Sequence, residues 1–326
     1  MKKILILIAL TLVTLATLSG CAPKPVVTKV GTASVTSIQP TAATAEAAGR
    51  IRVNVTTATV MLDADGKFVS VNFDVAQNDS NFDVTGVVTK AEPAPTKKEK
   101  GAAYNMKAVS QIGKEWNEQI ASLEAWMIGK TLAEVKALPL VEGKVAESED
   151  LRSQVSVRVG DYMAALDKAV AAAVELQDVA KVGAESYTTI QPTNATAEAV
   201  GRIRVNTTIA AVALDKDGKV LHVFFDVAQN DANFDVTGVV TKAEAAPTKR
   251  EKGSAYNMKS VSEIGKEWDE QIMALEAFIV GKTLTEVKAL PLAEGRVAES
   301  EDLRSSVSIR VGDYMAAIEK AYNAAK

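Results

Sequence analysis

Alternating apolar and polar residues predict antiparallel strands early in the sequence. Ile51, Val53 and Val55 alternate with polar residues, which is the pattern of a strand with one buried face. The pair Asp65-Gly66 follows as a strong hairpin signal. Apolar residues then alternate again over positions 69–75, and this second alternation predicts the return strand of the hairpin.

A further alternation, between Leu151 and Val159, predicts a strand near the end of the first half of the chain. Side chains two positions apart on a strand lie on the same face. Ser156 is therefore expected to share a polar face with Arg158, and with Arg152 further along. Arginine has a rigid fork of donors that matches a phosphate group, so this hydroxyl could carry or approach a phosphate. An ordinary amphipathic strand with arginines on its wet face explains the same spacing.

Apolar residues at intervals of three and four predict one long helix over residues 109–127. We interpret its tryptophan as a core residue in preference to a cofactor contact. Gly129 suits the end of this helix, and Thr131 with Glu134 forms a capping box that starts a short second helix. The apolar stripe consists of Val109, Ile112, Trp116, Ile120, Leu123 and Met127.

The segment from Phe82 to Lys100 is polar, contains Pro93 and Pro95, and is predicted to be a long loop. Further along the chain, Asp161 is expected to cap a final helix. Strands, then helices, then a strand and a helix indicate an α+β fold, in which an antiparallel sheet packs against one long helix and shorter helices.

The whole pattern occurs twice. IQPTAATAEAAGRIRVN begins at Ile38 and IQPTNATAEAVGRIRVN at Ile190, and this offset of 152 positions persists without insertion. A repeat of this length is a duplicated globular domain. We therefore predict two tandem homologous domains over residues 35–176 and 184–326, joined by a linker at 177–183.

The first residues indicate an exported protein. A short basic start precedes an apolar run that ends in the sequence LSGC at Cys21, so residues 1–20 are predicted to be a signal peptide. LSGC also resembles the lipobox of bacterial lipoproteins, in which the cysteine becomes the lipid-modified first residue. We therefore expect a lipid anchor on Cys21, a tether over residues 21–34, and an extracytoplasmic location at the bacterial cell membrane. A secreted protein with one free thiol is the alternative.

Charge and histidine content exclude several classes of function. The 37 basic and 41 acidic residues give a formal net charge of −4 without a long basic run, so no nucleic-acid partner is expected. The single histidine, His222, corresponds to Ser70 in the first copy. A catalytic triad or a metal site that uses histidine in both copies is therefore excluded, and no metal site is predicted.

Four segments of the first copy carry a resemblance to a known family. They are TKKEKGAAYNMK from Thr96, SQIGKEWNEQI from Ser110, GKTLAEVKAL from Gly129 and DLRSQVSVRVGDYMAAL from Asp150, and the second copy repeats them with few changes. These segments resemble the FMN-binding domain family of bacterial extracytoplasmic flavoproteins. They are most similar to the two-domain flavinylated lipoproteins of extracellular electron transfer.

In that family a flavin transferase joins FMN, through its phosphate, to a hydroxyl in a motif resembling Asp-x-x-Ser-Gly-Ala-Thr. On this chain the motif begins at Asp150 and ends at Ser156, with Ser153 as its first serine. Gln154 and Val155 replace the glycine and alanine, so the FMN is expected to be covalent, non-covalent or absent. The second copy has Asp302, Ser305, Ser306, Val307 and Ser308 at these positions.

The resemblance also implies further cofactor-binding residues. Arg158 would offset the phosphate charge, while Tyr104 and Met106 would pack on the flavin ring or belong to the core. Lys97 and Lys100 would reach the phosphate or lie on a solvated loop face. The second copy has Arg310, Tyr256 and Met258 in place of the first three residues.

For the whole protein, the resemblance implies a membrane-anchored electron carrier, in preference to an enzyme with its own substrate. Each domain would hold one FMN on Ser156 or Ser308, and the lipid on Cys21 would keep both flavins near the membrane. Electrons would pass from a quinone-linked membrane donor to extracellular acceptors. A different class stays open: a surface lipoprotein without a redox role that binds a ligand or a partner through its long loops.

Overall fold

Each copy of the repeat forms an antiparallel sheet with helices packed on one face, in a computed structural model that describes residues 26–326. The predicted α+β fold with two sheet–helix units is confirmed. The first sheet has the strand order β4-β3-β2-β1-β7. Its strands are β1 (Lys29–Thr41), β2 (Gly49–Leu62), β3 (Phe68–Phe82), β4 (Val88–Lys90) and β7 (Val174–Glu175), and β5 (Leu140–Val141) and β6 (Lys144–Val145) form a separate small hairpin.

The first copy has four α-helices, of which two are long enough to cover the sheet. They are α1 (Lys97–Lys100), α2 (Trp116–Met127), α3 (Leu132–Lys136) and α4 (Gly160–Ala171), with 3₁₀ turns at Gly101–Tyr104 and Asp150–Ser153.

The second copy repeats this arrangement with a four-stranded sheet in the order β11-β10-β9-β8. Its strands are β8 (Lys181–Thr193), β9 (Gly201–Leu214), β10 (Val220–Phe234), β11 (Val240–Lys242) and the small hairpin β12 (Leu292–Ala293) and β13 (Arg296–Val297). Its helices are α5 (Lys249–Lys252), α6 (Trp268–Ile279), α7 (Leu284–Lys288) and α8 (Gly312–Asn323), with 3₁₀ turns at Gly253–Tyr256, Met258–Ser260 and Asp302–Ser305.

The long central strands are buried on both faces. In β2, Ala58 and Val60 face a core built with α2 and α4, where Trp116 is 1% exposed. This confirms the prediction that the tryptophan is a core residue. The opposite face of β2, which carries Ile51 and Val53, packs against the sheet of the second copy. The two faces follow from the two-residue period of a strand.

The two sheets pack face to face and share one apolar core. Phe82 and Phe234, at equivalent positions, stack with ring centroids 4.1 Å apart. Equivalent backbone hydrogen bonds cross the interface in both directions. The Ala43 N–H donates to the Gly238 carbonyl at 2.9 Å, and the Ala195 N–H donates to the Gly86 carbonyl at 2.8 Å. The duplicated units therefore form one sandwich with approximate twofold symmetry.

The predicted long helix over residues 109–127 is wrong for its first part, because α2 begins at Trp116. Gly113 has a φ of +63°, a conformation that a helix interior does not contain. The N–H of Glu115 then donates to Glu118 Oε2 at 2.7 Å, which closes the first turn of α2. Val109 fitted the apolar spacing but is 83% exposed.

The predicted strand from Leu151 to Val159 is also wrong. Its first residues lie in the 3₁₀ turn, and α4 begins directly after Val159. Leu151, Val155 and Val159 are buried at intervals of four, so the period is not that of a strand. Ser156 and Arg158 are consequently not on one face of a strand, and they differ in exposure, since the serine is buried and the arginine is exposed.

The final helix is present, but Asp161 does not cap it, because the N-cap is Val159 and Asp161 lies in the first turn. In contrast, Thr131 forms the predicted capping box, with its side chain accepting from the Glu134 N–H. Gly129 follows the end of α2 with a φ of +77°, as a helix terminus favours.

The predicted loop from Phe82 to Lys100 is wrong in part, because it contains β4 and α1. Asp83 Oδ1 accepts hydrogen bonds from the N–H groups of Thr85 and Val87, and this turn returns the chain to pair with β3. Aspartate in this role is a general turn device.

The predicted tether and linker also contain structure. β1 begins at Lys29 and pairs with β2 from Leu62 onward, and β8 begins at Lys181. The prediction of a tether is therefore wrong for residues 29–34, and that of a linker for residues 181–183. Cys21 and its predicted lipid, with most of the predicted tether, lie outside the described residues. Within residues 26–326, the helices are too short or too polar for any of them to cross a bilayer.

Candidate functional site

Ser156 is fixed by a glutamine on the neighbouring helix. Gln119, on α2, is fully buried, and its Oε1 accepts from the Ser156 backbone N–H at 2.9 Å and from its hydroxyl at 3.1 Å. The Val157 N–H donates to the same oxygen at 3.2 Å. The N–H groups of Ser156 and Val157 both donate to this side-chain oxygen, which takes the place of the backbone carbonyls of a neighbouring strand.

The other end of Gln119 ties this segment to the turn that precedes α2. Its Nε2 donates to Ser110 Oγ at 3.2 Å, to the Lys114 carbonyl at 3.1 Å and to Met106 Sδ at 3.7 Å. The predicted residues Ser156 and Met106 are therefore brought together through a residue that the sequence analysis did not single out.

A desolvated lysine lies over two aromatic rings beside this cluster. Lys97 Nζ is 4.9 Å from the ring centroid of Tyr104 and 5.5 Å from that of Trp116. Such contacts stabilise an ammonium group that has lost water. Burial, reinforced by the nearby Arg52 charge, nevertheless lowers the pKa of Lys97 to about 8. In the second copy, burial with the neighbouring Lys252 charge lowers the pKa of Lys249 to about 8.

In the second copy, Lys249 and Trp268 line one cavity of about 300 Å³. That volume lies at the lower end of the range of roughly 300–1,000 Å³ for small-molecule sites. Lys249, Arg296 and Arg310 supply three basic side chains and Glu263 one acid, so the lining favours an anion. The apolar part of the wall includes Met258, Trp268 and Tyr314, and Ser308 also lines the cavity.

The arginines also hold the serine segment in place. Arg296 and Arg304 both donate to the Ser308 carbonyl, at 2.7 and 3.1 Å. Glu263 pairs with both guanidinium groups at 2.8 Å. In the first copy the positions of Glu263 and Arg296 hold Gln111 and Lys144. The two sites therefore share their serine, glutamine and lysine but differ in charge.

Asp302 and Ser305 do not line this cavity, and their counterparts in the first copy are Asp150 and Ser153. Asp150 and Ser153 lie in the 3₁₀ turn and line a separate surface hollow with Arg152. The Ser153 hydroxyl donates to the Asp150 carbonyl at 2.8 Å, which closes the turn. The second copy has the same bond between Ser305 and Asp302. In the described structure these residues shape the turn before the buried serine.

The remaining predicted residues lie close to the lysine. Tyr256 contacts Lys249, whose Nζ is 4.8 Å from the ring centroid, and its hydroxyl donates to Gln229 Oε1 at 3.2 Å. Met258 lines the cavity, as Arg310 does. Both aromatic and thioether groups also pack against the helix-side core. Tyr256 and Met258 therefore fit both predicted roles, as core residues and as ligand contacts.

The glutamine could have been found from the sequence. Gln119 lies three residues after Trp116 and four before Leu123, so it falls within the apolar stripe of α2. A polar residue on the buried face of a helix needs partners. Arg296 carried no comparable signal, because its position in the small hairpin of the second copy depends on tertiary structure.

Part of the chain is similar to a protein that is named as a redox enzyme. No protein-family model matches the chain, and no solved structure matches it. A chlorophenol reductase from Desulfitobacterium hafniense is 36% identical over 98 residues, which span 26% of this chain and 30% of the reductase. The chain thus spans less than a third of this relative's length. The relative is named as a redox enzyme, which is compatible with a flavoprotein.

Proposed function

We propose that the protein is a membrane-anchored extracytoplasmic electron carrier with one FMN per copy, attached to Ser156 and Ser308. The observation that carries the proposal is the cavity of the second copy, which places Ser308 beside Lys249, Arg296 and Arg310. These groups fit a phosphate ester, because the basic side chains offset its charge and the serine oxygen offers the attachment point. Met258 and Ile309 supply apolar contacts of the kind a flavin ring needs.

In this proposal the bound FMN supplies the redox chemistry, and the chain binds, orients and shields it. A flavin transferase would transfer the FMN phosphoryl group from a flavin dinucleotide to the serine oxygen. The new O–P bond would replace the pyrophosphate bond, the nucleoside monophosphate would leave, and the hydroxyl proton would be lost. Gln271 Oε1, which accepts from the Ser308 hydroxyl at 3.2 Å, keeps that oxygen in place. The lipid on Cys21, the quinone-linked donor and the extracellular acceptors belong to the same proposal. The redox-enzyme name of the distant relative supports its redox part.

The test is the intact mass of the denatured mature protein after coexpression with a flavin transferase. We expect two FMN units per chain, one lost in Ser156→Ala and the other in Ser308→Ala. Ser153→Ala and Ser305→Ala are the matched controls, since these serines lie in the same segments but outside the described cavity. A change at the control serines alone would place the attachment elsewhere in the segment.

A second candidate function follows from the burial of the serine. Ser308 is only 3% exposed, and Gln271 satisfies both its amide and its hydroxyl. Such a serine can be purely structural, and the basic cavity would then bind an anion without covalent attachment. A colourless protein of unmodified mass that still binds inorganic phosphate at Lys249 would support a non-redox surface lipoprotein that binds a ligand.

A further inference from the structure

The approximate symmetry of the sandwich is broken at one place between the two copies. On one side, Val182, Gly183 and Ala324 of the second copy border a cavity of about 330 Å³ against the first sheet. On the equivalent side, Val30, Gly31 and Ala172 of the first copy border a space of only about 10 Å³ against the second sheet. Equivalent backbone positions therefore enclose a ligand-sized cavity against the first sheet and almost no space against the second sheet.

Side-chain differences at matched positions explain the contrast. Where the filled side has Phe224, the open side has Asn72, and His222 is matched by Ser70. On the filled side the Phe224 ring also packs under Arg250, whose Cζ is 4.7 Å from its centroid. The corresponding Lys98 on the open side instead bonds to Asn72 and, at 2.8 Å, to Glu124. The open side thus has a polar side chain where the filled side has an aromatic ring.

The open cavity also holds a carboxylate that its counterpart lacks. Glu185 lines it, whereas the matched position in the first copy is Ala33. The Oε2 atom of Glu185 is buried and has no hydrogen-bond partner among residues 26–326. A buried carboxylate oxygen without a partner is costly, so a bound donor at this point would be strongly favoured.

We propose that this cavity between the two copies binds a small alkylammonium ion, with the ammonium group on Glu185. Part of the remaining wall is suited to a short alkyl chain, since Met61, Val71, Val182 and Ala184 contribute apolar surface. Lys98 does not compete for Glu185, because Glu124 and Asn72 already hold its amine. The site is separate from the serine cavity and does not depend on the presence of FMN.

The surroundings of Glu185 make the binding dependent on pH. Burial, followed by the charges of Asp74 and Glu99, raises the pKa of Glu185 to about 7, against the opposing effect of Lys320 and Lys98. Lys326 and the ion-paired Glu124 also line the cavity. Below this pKa the carboxyl is neutral and offers no charge to an ammonium ion. Lowering the pH from 8 to 6 is therefore expected to weaken binding by about tenfold.

The test uses n-butylammonium as the ligand. The control ligand is n-butanol, which has the same alkyl chain without the charge. Protein-observed NMR titration of the mature protein should give a dissociation constant on the order of 1 mM for n-butylammonium, with n-butanol much weaker. Glu185→Gln should weaken n-butylammonium by about tenfold or more, and Glu198→Gln, at an exposed position, should leave it unchanged.

A second variant tests the volume of the cavity while it keeps Glu185. Asn72→Phe introduces the residue that fills the equivalent side, and it should abolish binding while the thermal midpoint stays the same or rises. Equal affinity for n-butylammonium and n-butanol would overturn the proposal, because the cavity would then hold only water or any small molecule. Unchanged affinity in Glu185→Gln, or in folded Asn72→Phe, would also overturn it.

Discussion

At the scale of single residues, one buried glutamine per copy determines where the candidate serine lies. Gln119→Leu keeps the size of the side chain but leaves the N–H groups of Ser156 and Val157 buried without an acceptor. Each such group costs about 1–3 kcal/mol, so we expect a loss of about 3 kcal/mol in the free energy of unfolding. Urea denaturation measures this loss.

The matched control is Gln154→Leu, because Gln154 lies in the same segment but is exposed. Its effect should stay within about 0.5 kcal/mol, as for most surface substitutions. If both variants lost the same stability, the serine segment would be held by something other than Gln119.

The half-buried lysines Lys97 and Lys249 give a second prediction at this scale, one that depends on pH. The pKa of Lys249 is lowered from 10.5 to about 8 by burial, so between these values the unfolded state binds more protons than the folded state. The contribution of Lys249 to the free energy of unfolding should therefore rise as the pH increases from about 8 to 10.5. Below about pH 8 this contribution should be lower and should no longer change with pH. Lys249→Met should reduce this rise.

The lysine pKa can be checked directly by NMR of protein with ¹³C-labelled lysine. One resonance with an unusually low pKa should disappear in Lys249→Met and another in Lys97→Met, while Lys259→Met, at an exposed position, should remove neither. Inorganic phosphate or bound FMN should raise the pKa of Lys249, because a nearby anion favours its charged form. A Lys249 that titrates near 10.5 would contradict the burial that the cavity requires.

At the scale of secondary-structure elements, the sequence predicted the strands whose apolar residues alternate regularly and missed β1, where the alternation is lost. β2 was readable because Ile51, Val53 and Val55 keep one face toward the second copy. β1 was not, because its first half is buried almost continuously, from Val30 to Thr32. A strand buried on both faces loses the alternation that reveals it.

The candidate site was predicted in part for a related reason. Leu151, Val155 and Val159 are buried, but the Val157 between them also fitted an alternating pattern, so a turn resembled a strand. The proximity of Ser156 to Met106 depends on Gln119, a contact between segments far apart in sequence. Local periodicity contains no information about such contacts. The capping box at Thr131 was predicted correctly because it depends only on residues close in sequence.

The capping boxes provide the prediction at this scale. Thr283→Ala removes the side chain that accepts from the Glu286 N–H at the start of α7, which should cost about 1 kcal/mol. The chain offers its own control in the same helix, since Thr285 is exposed and its counterpart in the first copy is Ala133. Thr285→Ala should leave the urea midpoint nearly unchanged. Equal losses in both variants would show that the cap does not stabilise α7.

At the scale of the whole molecule, duplication has produced one sandwich with a shared core, and its halves are expected to unfold together. The Phe82 and Phe234 rings stack across the interface, so their contributions should depend on each other. Phe82→Leu and Phe234→Leu should each cost about 1–3 kcal/mol, and the double variant should differ from the sum by at least about 0.5 kcal/mol. The measurement is urea unfolding of the mature chain, followed by fluorescence and by circular dichroism.

The matched control is a second phenylalanine pair on the helix side. Phe73 and Phe225 are equivalent residues in the two separate helix-side cores, so Phe73→Leu and Phe225→Leu should add to within about 0.5 kcal/mol. Both probes should report one coincident transition for the wild type, because neither sheet can expose the Phe82–Phe234 face without unfolding the shared core. Two separate transitions, together with additive losses at Phe82 and Phe234, would mean that the copies are independent domains. The cavity at Glu185, which needs both copies, would then be present only while the two sheets stay docked.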